Sequence, residues 1–254
     1  MSNRMTLAAM KKKAEDMPLE KAVLWLCDMI PDYGISVAKL ADIYSRKLIK
    51  FNEEKERLRN MFKYENNARS KGFIYIGGID EAGRGPLAGP VSAACVILPE
   101  DCLIEQLNDS KKLSPKVRDK LFDIIKAEAV DYGVSMVTAE EIDEINILNA
   151  TKKAMTMAVS KLKVCPDYLI IDAVELPLIT EQLSLCKADS LSASVAAASV
   201  LAKVTRDRWM EEAHEKYPEY GFNQHKGYGT QMHIDAIRKI GACPIHRKSF
   251  ITGL

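Results

Sequence analysis

Between Val37 and Phe62, apolar residues return at helical spacing, at Leu40, Tyr44, Leu48, Phe51 and Leu58, across a charged stretch. This pattern predicts one long helix. The turn Pro31-Asp32-Tyr33-Gly34 separates it from a shorter helical pattern over 19–30, so residues 1–70 are expected to form a small helical N-terminal extension. Plain packing and a helix-turn-helix contact with DNA are both open to such a head. After Ser70-Lys71-Gly72 the texture changes. Phe73-Ile74-Tyr75-Ile76 is short, apolar and β-prone, and is predicted to break at Gly77-Gly78 before Ile79-Asp80-Glu81. Further strands are predicted over 91–98, 132–138 and 168–171, with a weaker fifth over 183–187. Helices fill the intervals: one from the cap Ser114-Pro115, one around Leu148, Met155, Val159 and Leu162, a long one over 190–216, and one from Thr230 to Ile240, stopped at Gly241. Interleaved strands and helices predict an α/β sheet covered by helices, with the main domain over 71–254.

Composition narrows the class. With 254 residues, 47% hydrophobic and 28% charged, the chain is an ordinary globular protein, which argues against disorder and fibrous repeats. No apolar run approaches the roughly 18 residues a membrane helix needs. The stretch Met5 to Met10 is too short for a signal peptide and runs into Lys11, Lys12 and Lys13, so a cytoplasmic location is expected. Six scattered cysteines without a C-x-x-C pair suggest neither zinc nor disulfides; they are expected to be reduced, mostly buried thiols. The net charge of +1 hides an asymmetry. Residues 1–70 carry 14 Lys/Arg against 10 Asp/Glu, a net +4, and the remainder 22 against 25. A basic head hints at an accessory nucleic-acid contact, although a solvated helix face produces the same count.

The chemistry lies in acids at strand ends. The first strand ends in Asp80-Glu81 and the fourth in Asp172, and in α/β sheets the crevice beyond the strand ends is where ligands bind. Asp189 can join them from the start of the long helix, beside Ser190 and Ser192. Clustered carboxylates repel and persist only if protonated or neutralised by cations, and oxygen ligands select Mg²⁺ or Mn²⁺. Two such ions roughly 3.5–4 Å apart activate water and stabilise a leaving oxygen in phosphodiester hydrolysis. The plain alternative is that each Asp merely caps a strand or helix. Asp80 and Glu81 are neighbours on a strand and share a site only if the chain bends, which Gly83, Gly85 and Pro86 allow. The segment from Gly83 to Pro90 leads into another strand, so a dinucleotide-binding loop is excluded by context.

These residues carry a resemblance. Gly78-Ile79-Asp80-Glu81-Ala82-Gly83-Arg84-Gly85-Pro86-Leu87-Ala88-Gly89-Pro90-Val91 and Asp109-Ser110-Lys111-Lys112-Leu113-Ser114 resemble the first two motifs of bacterial ribonuclease HII, the type 2 ribonuclease H family. Ile171-Asp172-Ala173, Lys187-Ala188-Asp189-Ser190, the helix from Ala196 to Asp207, His225-Lys226-Gly227-Tyr228-Gly229-Thr230 and His246-Arg247-Lys248-Ser249-Phe250 follow in the family's order. The resemblance implies an RNase H-like mixed five-stranded sheet flanked by helices, with a helical C-terminal part. It implies that Asp80, Glu81, Asp172 and Asp189 are catalytic and hold Mn²⁺ or Mg²⁺, two ions acting together. The implied partners are RNA-DNA hybrids and duplex DNA with an embedded ribonucleotide. The implied reaction is endonucleolytic hydrolysis, with incision 5′ of a single ribonucleotide to leave 3′-hydroxyl and 5′-phosphate ends, the opening cut of ribonucleotide excision repair.

The other motifs suit that work. Distinguishing RNA from DNA means sensing the 2′-hydroxyl, and the glycine-flanked backbone Gly83-Arg84-Gly85 allows amides to approach a sugar closely. The resemblance assigns Tyr228 to the RNA-to-DNA junction; the plain alternative is a core Tyr in a Gly-rich turn. Lys111, Lys112, Lys203 and Arg206 are expected to contact phosphates, with Ser190 also facing substrate. His225 and His246 are expected to make structural hydrogen bonds, and His214 and His233 to occupy surface helix positions. Type 3 ribonucleases H share the acids but lack the Gly-Arg-Gly sequence and carry a strand-bearing N-terminal domain, which favours type 2. The head, absent from shorter relatives, is expected to strengthen substrate binding through its charge. Three other readings compete: a transposase- or resolvase-like DNA nuclease, a catalytically silent hybrid-binding protein, and a transcription factor built on the N-terminal helices. No protein-binding motif stands out, no membrane is involved, and a monomer is expected.

Overall fold

The computed structural model describes residues 4–253. Two compact units divide at Arg57 and Leu58, ahead of the change of texture at residue 70. The first holds α1 (Leu7–Glu15), α2 (Leu19–Tyr33) and most of α3 (Ile35–Met61). The Thr6 hydroxyl caps α1 by accepting the Ala9 N–H. α2 runs on through Pro31 to Tyr33, and the expected four-residue turn shrinks to Gly34, whose φ of 68° suits glycine. Met10, Ala14, Ala22, Leu26, Val37 and Tyr44 form this unit's own core.

The second unit is built on a five-stranded mixed sheet, β1 (Ile76–Ala82), β2 (Val91–Ile97), β3 (Asp131–Val137), β4 (Tyr168–Asp172) and β5 (Glu181–Leu185). Its order is β3-β2-β1-β4-β5. β2 pairs antiparallel with β1 and β3, and β4 pairs parallel with β1 and β5. The period-two alternation of β2 sorts its side chains between two cores. Ala94 and Val96 meet α5 (Pro115–Glu128) and the apolar face of α7 (Ala193–Lys216), with Leu58, Met61 and Phe62 completing that layer. Val91, Ala93 and Cys95 meet α6 (Ala139–Ser160) on the other face. Every residue of β2 is buried, as expected of a strand covered on both sides. The short α4 (Lys63–Ser70) precedes the sheet; α8 (Phe222–His225) and α9 (Gln231–Ile240) form the helical C-terminal part around Phe222, Met210 and Tyr220.

The pair Gly77-Gly78 does not break the first strand: β1 begins at Ile76 and runs straight through it, while Phe73 to Tyr75 lie outside. The reason is the close approach of α7. A Cβ on Gly78 would lie 2.2 Å from the Ser194 carbonyl carbon and 2.3 Å from the Val195 nitrogen. The small side chains of α7 serve the same approach from the other side, with Ala196, Ala197 and Ala198 all fully buried.

α7 is anchored at its N-terminus by Glu65 of α4. This carboxylate is wholly buried, accepting the Ser192 hydroxyl at 2.6 Å and the Ser194 N–H at 2.9 Å. A negative charge at a helix N-terminus is favourable, but burial raises the Glu65 pKa all the same. The cysteines depart from expectation: all six are free, yet Cys27, Cys165 and Cys186 are exposed and only Cys95, which sits on the doubly covered β2, is fully buried. Among the described residues no helix is long and apolar enough to cross a membrane.

Two outcomes follow. Gly78→Ala pushes a methyl into helix backbone that cannot rotate away, and should cost about 3 kcal/mol, seen as a drop in Tm of roughly 5–10 °C; an unchanged Tm would refute the close-approach account. Because the folded pKa of Glu65 is raised, its contribution is full below the ordinary glutamate value and declines as pH rises through the folded value. Glu65→Gln, which never ionises, should therefore lose less stability than wild type between about pH 4.5 and 8 in urea melts. Parallel curves for the two proteins would count against a buried acid there.

Candidate active site

The central strands bring the first acids together. Ile79 of β1 pairs with Ile171 of β4, so the next residue on each strand, Asp80 and Asp172, leaves the middle of the sheet beside the other. Asp189 arrives from the 3₁₀ turn Ala188–Ser190, which is tied back by the Ala188 N–H donating to Asp172 Oδ1 at 2.8 Å. Ala173 and Lys187 flank this connection with φ of 58° and 60°, the left-handed region, at roughly 1 kcal/mol each. Such strain persists only where surrounding bonds hold it, here including the Ala173 N–H to the Leu185 carbonyl.

β1 continues to Ala82, and the expected bend comes after the acids, at Gly83. Asp80 is 2% exposed and accepts the Glu81 N–H at 2.8 Å. Burial pushes the Asp80 carboxyl well above its ordinary range, and the negative charges of Glu81, Asp172 and Asp189 push the same way. Glu81 is also raised by burial, against the pull of Arg84, whose guanidinium lies 3.6 Å from its Oε1. Asp189 is raised by burial and by Asp109, a fifth acid that reading the sequence did not single out. Asp109 caps the turn Ser110–Lys112 by accepting the Lys111 N–H, and its aspartate charge is invisible to any argument from strand ends.

Lys111 supplies the nearest countercharge, its ammonium 3.2 Å from Asp189 Oδ2. Burial alone would lower the Lys111 pKa, but Asp189 and Asp80 outweigh it and raise the value. Lys112 donates to the Ser190 hydroxyl at 3.0 Å, so both lysines clasp the turn that carries Asp189. Among the described residues no three His, Cys, Asp or Glu side chains already close on one point as a cage. The bonds just described explain this: Asp172 and Asp189 are turned toward an amide and an ammonium. The site nonetheless fits hard divalent cations, since its donors are carboxylate oxygens and Glu81 Oε2 is buried with no hydrogen-bond partner.

Beyond β1, the chain from Gly83 to Pro90 is gripped by two arginines that are fully buried. Arg247 donates to the carbonyls of Gly83 (2.6 Å), Arg84 (3.0 Å) and Gly89 (3.0 Å). Arg206 donates to Pro90 (2.8 Å), Ala88 (3.0 Å) and Lys226 (2.9 Å). A trans peptide points its C=O and N–H in opposite directions. With the Gly83 and Arg84 carbonyls turned inward, the N–H groups of Arg84 and Gly85 face away from Arg247, on the two residues of this loop that are exposed. Gly83 has φ 96°, and a Cβ there would lie 2.1 Å from Arg206 Nε. Tyr228 flanks the same edge: it is 45% exposed, and a Cβ on Gly85 would sit 3.8 Å from its ring.

The expected site residues therefore fall into two groups. Asp80, Glu81, Asp172, Asp189, Lys111, Lys112 and Ser190 share the sheet end, and Gly83, Arg84, Gly85 and Tyr228 form its neighbouring rim. Arg206 is a correction. Its helical spacing with Lys203 suggested a phosphate contact, but the guanidinium is enclosed beneath the loop with its donors engaged by carbonyls. Lys203 is tied to Asp207 at 2.7 Å and lines a separate polar pocket of about 610 Å³ with Arg118, Arg208 and Lys226. His233 is a second correction: it lies on α9, but is fully buried against His246. Arg247 was passed over although it stands inside a quoted motif, since a single arginine in a C-terminal segment carries no sign of burial.

Comparison with known proteins agrees with this geometry. A family model described as Ribonuclease HII matches residues 77–253. A relative from Acetivibrio thermocellus named Ribonuclease HII is 53% identical over 97% of this chain and 96% of its own, and one from Ruminiclostridium cellulolyticum is 52% identical over 97% of each. Among solved structures, the ribonuclease H2 of Pyrococcus horikoshii superposes with a TM-score of 0.59 at 30% identity, covering 69% of this chain and 93% of that one. The sheet order, the acids at its central strand ends and the near full-length likeness to these relatives lead to one conclusion: the chain belongs to the ribonuclease HII family and is an endoribonuclease.

Proposed function

We propose that this protein hydrolyses the RNA strand of RNA-DNA hybrids with divalent cations and incises duplex DNA 5′ of a single embedded ribonucleotide, leaving 3′-hydroxyl and 5′-phosphate ends. The observation that carries the reading is the adjacency of two features: Asp80-Glu81 near the end of β1 and, just past Gly83 in the loop that follows it, the outward-facing amides of Arg84 and Gly85. Asp80, Glu81, Asp172 and Asp189 would hold the cations, Mg²⁺ or Mn²⁺. When bound, such ions lower the pKa of a water and stabilise the leaving oxygen of a phosphodiester.

The chain's own residues supply the rest. The Arg84 and Gly85 N–H groups reach the 2′-hydroxyl, which DNA lacks, so only a ribose is held beside the acids. Tyr228 presents its ring to the adjoining sugar or base at the junction. Lys111 and Lys112 offset the negative charge of acids and substrate alike. The six free cysteines suit a reducing compartment, and we place the enzyme in the cytoplasm.

Labelled duplexes with zero, one or several ribonucleotides, incubated with Mg²⁺, Mn²⁺ or EDTA, test this directly. Cation-dependent incision 5′ of the lone ribonucleotide, with the all-DNA duplex intact, is expected. Cleavage restricted to ribonucleotide runs would overturn the recognition claim, and no cleavage with any cation would overturn the hydrolytic one. Asp80→Asn should lower the cleavage rate about a thousandfold or more, the several kcal/mol that cation-held charge supplies. The same variant should be more stable than wild type at neutral pH without cations. With its folded pKa raised, Asp80 loses its stabilising protonated form as pH rises through that value, and Asn does not. A variant that is inactive and also less stable would indicate a structural rather than a ligating acid.

A further inference from the structure

Behind Tyr228, three buried histidines make a connected set that the acids do not use. His233 Nδ1 lies 2.9 Å from the Tyr228 carbonyl oxygen, and His233 Nε2 lies 3.0 Å from His246 Nε2. His246 Nδ1 accepts the Cys243 N–H at 2.9 Å. The His225 ring stacks on His233, centroids 4.5 Å apart and planes within 17°. His225 Nε2 lies 2.7 Å from the Tyr220 carbonyl, and His225 Nδ1 accepts the Gly227 N–H at 3.2 Å.

Hydrogen-bond chemistry fixes every proton in this set. A carbonyl only accepts, so His233 Nδ1 carries a hydrogen and its Nε2 is a lone pair. The facing Nε2 of His246 must then be the donor, which leaves His246 Nδ1 as the acceptor that the Cys243 N–H requires. The Cys243 carbonyl, 3.2 Å from that nitrogen, is then a neighbour and no partner. By the same rule His225 donates from Nε2 and accepts at Nδ1. All three rings are neutral, in agreement with burial lowering each pKa, that of His233 to about 4.

We propose that His233 and His246, with His225 stacked against them, form a relay that fixes the main chain of Tyr228 and thereby sets the enzyme's preference for the RNA-to-DNA junction. These are positioning residues, acting through Tyr228, and the proposal rests on the reading of Tyr228 as a substrate contact. The loop before the tyrosine is pinned from its other side as well. The Gly227 carbonyl accepts the Leu87 N–H at 2.8 Å, and Gly227, with φ 84°, packs so near Ala88 that a Cβ would lie 2.4 Å from its carbonyl oxygen. The peptide after Tyr228 has its oxygen held twice, by the Thr230 N–H at 2.8 Å and by the His233 N–H, which is its side-chain donor. The relay's far end, His246, bridges to Ala88 in the recognition loop and is followed by Arg247, which holds the carbonyls of Gly83 and Arg84. One connected set of bonds thus sets both sides of the rim.

Two substitutions separate the donor from the ring. The Asn side-chain NH₂ falls where Nδ1 was, so His233→Asn keeps the bond to Tyr228. The Gln NH₂ falls where Nε2 was, so His233→Gln faces His246 and drops Tyr228. Incision at a single ribonucleotide is measured against cleavage of a long RNA run, for variants that melt cooperatively. His233→Asn should keep the wild-type ratio, and His233→Gln should lower it about tenfold with the rate on the RNA run little changed, the size of one lost stacking contact. A wild-type ratio in the Gln variant, or equal loss in both, would overturn the relay. Tyr228→Ala is the control: if it alone leaves the ratio unchanged, the reading of Tyr228 fails, and the relay's effect on preference fails with it. Imidazole ¹⁵N spectra of the intact wild type test the bonding without any substitution. Protons on His233 Nδ1, His246 Nε2 and His225 Nε2 at neutral pH are expected, and any other pattern refutes the relay.

Discussion

Two guanidinium groups with no exposure to solvent, Arg206 and Arg247, hold the loop on which the rest of the site depends. Burying a cation without a carboxylate partner is costly, and burial lowers the pKa of Arg206 to about 10 and that of Arg247 to about 9. The cost is offset by geometry. A guanidinium has five N–H donors in a rigid plane, and each of these two meets three backbone carbonyls, drawn from three separate stretches of chain. Lysine could not replace either, because one ammonium on a flexible stem cannot span carbonyls set that far apart. The outcome is a loop whose Gly83, Arg84, Ala88, Gly89 and Pro90 oxygens are directed inward and whose Arg84 and Gly85 amides are presented outward.

The acid cluster faces the opposite problem. Four carboxylates at the end of a covered sheet repel one another and lose hydration, and the fold answers with single donors: the Glu81 and Ala188 amides, the Lys111 ammonium and the Arg84 guanidinium. These are enough to keep the acids in place and too few to neutralise them. Raised pKa values at Asp80, Glu81 and Asp189 record the deficit. A site in this condition gains free energy from added positive charge, which is the physical basis for cation binding there.

Much of this was legible in the sequence, and the failures have identifiable causes. The strands, the long helices and their caps follow from local periodicity, and the acids follow from their position after apolar runs. Gly77-Gly78 was misjudged because glycine breaks a strand locally, whereas here it admits α7, more than 100 residues away in the chain. Arg206 was misjudged because helical spacing places it on the face of Lys203, while its length lets it reach beneath the neighbouring loop. His233 was misjudged because α9 has a polar exposed side, and the burial of this one position depends on the later segment that brings His246 against it. Each of these depends on a contact distant in sequence, which no local pattern encodes.

The arrangement joins selection to cutting through very few covalent bonds. Glu81 and Arg84 form an i,i+3 ion pair across the end of β1, so the residue that faces the acids and the residue that presents an amide belong to one turn of chain. On the proposed function, the distance from the ribose hydroxyl being read to the bond being cut is set by Ala82 and Gly83 and does not vary with domain motion. Gly83 cannot be replaced without colliding with Arg206, and Arg206 cannot withdraw without abandoning three carbonyls. Discrimination therefore needs no separate proofreading step. On that proposal, a substrate without a 2′-hydroxyl leaves the outward amides unpaired in the bound state, and that unmet hydrogen bonding is felt beside the acids where the reaction takes place.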